Sequence, residues 1–177
     1  MPTIRPSNDQ DIAAIAAIYQ HHVLHGTGTF EIEPPTAAEM QARRMDVLCK
    51  GLPYLVMESQ GTVVGFAYCN WFKPRPAFRF SAEDSIYLAA NAMGKGWGGL
   101  LLCELMASAQ RAGLRKLIAV IGDSKNHGSI KVHTACGFRP VGVLADCGWK
   151  FDRWIDVVLM ECPLGAGASL PAPQSPP

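Results

Sequence analysis

The sequence predicts a mixed α/β domain, one sheet with helices on both faces. Three observations point there. Segments with helical spacing of apolar residues interleave with β-rich runs along the chain. Of 177 residues, 49% are apolar, enough for one sizeable core. The length favours one domain with or without a tail.

Thr3-Ile4-Arg5 predicts a short first strand. Ser7 or Asn8 caps the next segment, where Ile12, Ile15, Ala16, Ile18 and Tyr19 repeat with helical spacing. Gly26 and Gly28 end it. Thr36-Ala37-Ala38-Glu39 is a capping box, in which the Thr oxygen and Glu carboxylate satisfy free amides at a helix start. Gly51 stops that helix. Tyr54–Met57 and Val63–Tyr68 flank Gln60-Gly61 and predict a hairpin. The prolines of Lys73–Arg79 remove ladder donors, so this segment is a basic, aromatic-edged loop. Strand character resumes at Asp84–Ala89. From Gly98 the pattern is helical through Leu100, Leu101, Leu102, Leu105 and Met106, and it stops at Gly113. Lys116–Ile121 predicts a strand, and Asn126–Ala135 a short helix closed by Gly137. Two last strands fall near Phe138–Val143 and Trp154–Met160. The domain therefore spans 1–164, and the Pro/Ala/Ser/Gly-rich stretch 165–177 predicts a disordered tail.

Composition narrows the function. A net charge of +1 offers no footprint for nucleic acid. No apolar run approaches the ~20 residues of a membrane helix, and the first residues lack the layout of a signal peptide. The six cysteines are scattered singly, without a CxxC pair, and read as reduced residues of a cytoplasmic protein. His21, His22 and His25 have no cysteine or carboxylate at ligand spacing, so no metal is expected. The Leu/Met stripe at 100–106 is core.

The chemistry concentrates at Gly94-Lys95-Gly96-Trp97-Gly98-Gly99, between a strand and a helix. Glycines permit positive φ and remove the Cβ atoms that would block an approaching ligand. The helix start offers unpaired N–H groups and the positive end of the helix dipole. A pyrophosphate is the natural ligand. The P-loop pattern fails at Gly94-Lys95-Gly96, and the mid-chain position does not suit a dinucleotide fold.

Met93-Gly94-Lys95-Gly96-Trp97-Gly98 resembles the Gln/Arg-x-x-Gly-x-Gly/Ala signature of the GNAT acetyltransferases. Met93 departs from it, standing where Gln or Arg is usual. Phe66-Ala67-Tyr68, Ala82–Leu88, Ala119–Asn126, Ser129–His133, Cys136-Gly137-Phe138 and Trp149–Val157 extend the match. Together they resemble the phosphinothricin/methionine sulfoximine N-acetyltransferase branch over residues 3–164. The resemblance implies the GNAT fold, with a central, mostly antiparallel sheet. It implies acetyl-CoA as co-substrate, its pyrophosphate held by the backbone of Gly94, Lys95, Gly96, Trp97, Gly98 and Gly99. It places the pantetheine arm beside the backbone of Ile86, Tyr87 and Leu88, with Asn126 as a further contact. It implies a homodimer.

Acetyl transfer to an amine requires a base, a polarised carbonyl and a way to settle the leaving thiolate. Glu83, at the head of the strand feeding the turn, is the expected base and matches the branch's glutamate. Asp84 is its rival, because alternation sends neighbours to opposite faces. His133 matches the branch's histidine and is expected to donate to the thiolate or relay the amine's proton. Lys73, Arg75 and Arg79, edged by Phe72 and Phe78, suit an acceptor carrying a carboxylate, phosphinyl or sulfonyl oxygen. Thr29-Phe30-Glu31 resembles the branch's first substrate loop, where an aromatic packs on the acceptor. The expected reaction is N-acetylation of a small amino-acid-like amine. Acetylation of a protein or peptide amine and a non-catalytic acyl-CoA sensor are the alternatives.

Overall fold

The computed structural model describes residues 1–171. Seven strands form one sheet in the order β1-β2-β3-β4-β5-β7-β6. They are β1 (Thr3–Pro6), β2 (Tyr54–Ser59), β3 (Thr62–Trp71), β4 (Ser81–Leu88), β5 (Lys116–Gly122), β6 (Arg139–Lys150) and β7 (Arg153–Pro163). Only β4 and β5 run parallel. The helices are α1 (Ile12–His25), α2 (Ala37–Cys49), α3 (Trp97–Arg111) and α4 (His127–Ala135).

Alternation along the strands sorts the helices into two layers. Tyr19 of α1 packs edge-on to Tyr87 and Phe66, on the face that also stacks Tyr54 against Tyr68. Leu101, Leu102 and Leu105 of α3 are fully buried against the opposite face. Gly65 of β3 lies under Leu101 there. Buried Arg44 of α2 fastens the first layer by donating to the Ser7 carbonyl and hydroxyl, each at 2.7 Å.

The expected elements are present, with longer strands. β3 runs on to Trp71 and β4 starts at Ser81, because Trp71 pairs with Ala82 and Ser81 with Lys116. The last two strands reach Lys150 and Arg153, joined by Phe151-Asp152 with φ of 54° and 53°. That turn lacks the Gly or Asn that marks such a conformation in a sequence. Asn8 caps a 3-10 turn at Asp9–Asp11 that leads into α1. The Thr36/Glu39 capping box forms as expected. Within the predicted tail, the Gly167 carbonyl accepts from Arg115. Residues 172–177 of that tail lie outside the described residues.

Candidate active site

The site grows from a fault in the sheet. β4 and β5 pair from Ser81/Lys116 to Asp84/Ala119 and then part. Beyond that rung β5 stays paired with β7 through Gly122, and β4 with β3 through Leu88. Ala89 N–H donates to the Val64 carbonyl at 2.9 Å. Tyr87 therefore aims its backbone at β3, whereas Ile86 and Leu88 aim theirs into the gap. Of the three expected backbone contacts, Ile86 and the Leu88 N–H face the gap, where an extended ligand could pair with them. The Leu88 carbonyl already meets His22 Nε2 at 2.8 Å.

The Gly-rich turn follows β4 directly. Gly94 and Gly96 have φ of 74° and 76°, the left-handed region. No atom lies within 4 Å of where a Cβ would sit on Gly94, Gly96 or Gly99. Gly96 is the N-cap of α3, and no side chain caps its amides. Lys95 Nζ sits 4.9 Å from the Trp97 ring centroid. Gly98 has another role: it is buried against Val132 and brings α3 close to α4. An open, amide-lined turn at a helix start fits a pyrophosphate without further side chains. Exposed Met93 adds no charge to it.

On the last two rungs before the strands part, two carboxylates diverge. Glu83 pairs in register with Asn70 and is half-buried on the α1/α2 face. Burial, reinforced by Asp84 and opposed by Lys73, holds the Glu83 carboxyl above its ordinary pKa. On the same face a hollow of about 380 Å³ is lined by Arg43, Asp46, Tyr68, Asn70 and two aliphatic side chains of α2. Asp84 faces α4 and is almost wholly enclosed. Its Oδ2 lies 2.9 Å from His133 Nε2, and His133 Nδ1 lies 2.8 Å from the Ser129 carbonyl. Burial pulls the His133 pKa down, but the bond and charge of Asp84 outweigh it, and the net shift is upward. Neither ring nitrogen of His133 is free in this arrangement. Asn126 caps α4 through Ser129 N–H at 3.2 Å, while its Nδ2 reaches the Gly122 carbonyl on the far lip of the gap.

The basic loop turns through a 3-10 segment at Pro76–Phe78. Phe72 and Phe78 meet edge to face, Lys73 lies over Phe72, and Arg79 lies over Phe80. Among the described residues Lys73, Arg75 and Arg79 form no ion pair. Phe30 sits elsewhere, across the end of β5 and β6. A Cβ on Gly148 would come 2.3 Å from its ring, and one on Gly122 would come 2.0 Å from the Thr27 carbonyl. Sequence reasoning missed what fastens this loop. Lys150, 4% exposed, donates to the Gly26 and Thr29 carbonyls at 2.8 Å each. Its one local signal was a lysine closing a β-rich run.

A parting parallel pair that leads into an open amide turn is the acyl-CoA cleft of an acetyltransferase. The profile described as the acetyltransferase (GNAT) domain matches residues 4–159, and the chain belongs to that family. The phosphinothricin N-acetyltransferase of Alcaligenes faecalis is 51% identical over 93% of this chain and 84% of its own. The L-methionine sulfoximine/L-methionine sulfone acetyltransferase of Salmonella typhimurium is 34% identical over 94% and 97%. A phosphinothricin acetyltransferase from Sinorhizobium meliloti, solved with acetyl-CoA, superposes with a TM-score of 0.95 at 39% identity, covering 98% of this chain and 94% of that one. The protein is an acetyl-CoA-dependent acetyltransferase with the GNAT fold.

Proposed function

We propose that the protein transfers the acetyl group of acetyl-CoA to the amino group of a small amino acid of the phosphinothricin or methionine sulfoximine/sulfone type. The observation that carries this reading is the position of Glu83. It stands one rung before β4 leaves β5, paired with Asn70, which lines a small hollow on the same sheet face, and Lys73 is nearby. The identity to enzymes acting on such amino acids agrees with it.

Acetyl-CoA brings an activated thioester carbonyl. Glu83 is the general base: it takes the ammonium proton, and the neutral amine becomes the nucleophile. Its raised pKa brings the carboxylate nearer in basicity to that task. The backbone of Ile86 and Leu88 aligns the pantetheine arm as a false strand. The amides of Gly94–Gly99 hold the pyrophosphate. His133 serves from the other face: as imidazolium it balances Asp84 and limits the second negative charge beside Glu83. Lys73, Arg75 and Arg79 receive the acceptor's acidic group beside Phe72, and Phe30, at the end of β5 and β6, packs on another part of the acceptor.

The protein works as a homodimer in this reading. β6 is a sheet edge whose neighbourhood exposes Val141, Val143, Leu144, Trp149 and Trp154, an apolar patch of the kind that marks a protein interface. Six free thiols suit a reducing, cytoplasmic compartment. The domain ends at 164, after β7, with 165–177 as an appended tail.

A thiol-release assay tests the reaction on phosphinothricin, methionine sulfoximine, methionine sulfone, ordinary amino acids and peptides. Turnover is expected on the first three. Tight acetyl-CoA binding with no turnover on any amine would overturn the proposal in favour of a sensor. Turnover confined to peptides would replace the acceptor class.

A further inference from the structure

Two thiols outside the proposed catalytic groups meet between α3 and α4. Cys103 lies on the exposed side of α3, and Cys136 closes α4. They are 33 residues apart in sequence, yet their sulfurs are 3.5 Å apart. The Cys136 thiol also points at the Gly99 carbonyl, 3.7 Å away, in the first turn of α3. Burial, with Cys103 alongside, pushes the Cys136 thiol up to about 12, so it rests protonated. Of the other four cysteines, Cys69 and Cys162 are buried, and Cys49 and Cys147 are exposed.

Two packed thiols can be simple filling, since cysteine behaves as a small hydrophobe. Filling explains Cys136 but not its exposed neighbour. The sulfurs need to close from 3.5 Å to the about 2.05 Å of a disulfide, a movement within reach of side-chain rotation.

We propose that Cys103 and Cys136 are a reversible redox pair, converted by small organic disulfides into an intramolecular disulfide that ties α3 to α4 beside the cofactor turn. The exposed Cys103 thiolate attacks one sulfur of the organic disulfide. A Cys103–S–S–R bond forms, and one thiolate leaves. Cys136 loses its proton to that thiolate or to water and attacks the Cys103 sulfur. The second R–S⁻ leaves and is protonated. Two protein thiols are oxidised, and one organic disulfide is reduced to two thiols. Forming the bond takes Cys136 off the Gly99 carbonyl, so the first turn of α3 loses a contact just where acetyl-CoA is held.

The test uses the full chain carrying Cys49→Ser and Cys147→Ser, which removes the other exposed thiols. Glutathione disulfide is the oxidant. Expected is a mass lighter by two hydrogens, a Cys103–Cys136 cross-linked peptide, and full reversal by dithiothreitol. Adding Cys136→Ser should leave a stable glutathione adduct on Cys103. Adding Cys103→Ser should leave the protein unmodified. The oxidised form should bind acetyl-CoA several-fold more weakly, with recovery on reduction. A lasting glutathione adduct while Cys136 is present, or a cross-link to Cys69 or Cys162, would overturn the pair. Unchanged acetyl-CoA affinity in the cross-linked protein would overturn its coupling to the turn. None of these readouts depends on which amine the enzyme acetylates.

Discussion

His133 Nε2 lies 2.9 Å from the Asp84 carboxylate, and both side chains are closed off from solvent between β4 and α4. With Nδ1 at the Ser129 carbonyl, both ring nitrogens face acceptors, which suits the imidazolium. The net upward shift of His133 makes this a stabilising charge at low pH. Its contribution is complete below the unfolded histidine value of about 6.5 and is lost as pH rises through the folded value. Asp84→Asn should cost about 3 kcal/mol, because it strands a buried partner. It should also remove that pH-dependent loss. Chemical denaturation across pH, with both chains compared, checks this. A variant retaining the wild-type pH slope would show that the pair is not its source.

Glu83 should control the acid limb of the rate profile. Burial and Asp84 raise its pKa, so activity should fall at a pH above the ordinary carboxylate range as Glu83 takes a proton. Glu83→Gln should lower kcat roughly 100- to 10,000-fold and flatten that limb while acetyl-CoA still binds. Initial rates over pH, paired with calorimetry, separate the two effects. Equal losses of cofactor affinity and rate would make Glu83 a structural residue.

Gly96 is the backbone position on which the turn depends. Its φ of 76° costs an ordinary residue about 1–2 kcal/mol and a β-branched one more. Gly96→Val should therefore shift the first turn of α3 and abolish acetyl-CoA binding by calorimetry, while circular dichroism stays that of a folded chain. Binding unchanged from wild type would remove the turn from the cofactor site.

The Gly-rich turn and its helix were legible because their signals are local. Four glycines in six residues, a strand before them and an apolar stripe after them lie within one stretch of chain. The Thr36/Glu39 box and the Gln60-Gly61 hairpin were legible for the same reason. The Asp84–His133 pair spans 49 residues, and the bonds from Lys150 to the 26–29 segment span more than 120. Nothing in a residue's own neighbourhood announces such a partner. The Phe151-Asp152 turn was missed for a different reason. Its positive φ values are imposed by two long paired strands rather than by turn-forming residues. The parting of β4 from β5 belongs to register, which periodicity does not report.

Lys150 should matter to the acceptor without touching the reaction. Its ammonium ties the Gly26 and Thr29 carbonyls, and the loop between them leads to Phe30, which packs on Gly148. Burial lowers the Lys150 pKa, and two of the amine's N–H bonds go to carbonyl oxygens. Lys150→Met keeps the length and apolar stem but leaves those carbonyls unpaired, at a cost of about 2 kcal/mol. The loop should loosen and Phe30 lose its fixed place. The expected outcome is a several-fold higher KM for the amine and an unchanged acetyl-CoA affinity. Steady-state kinetics in both substrates, with thermal melting alongside, checks it. An unchanged amine KM in a measurably destabilised variant would confine Lys150 to the fold and detach Phe30 from acceptor binding.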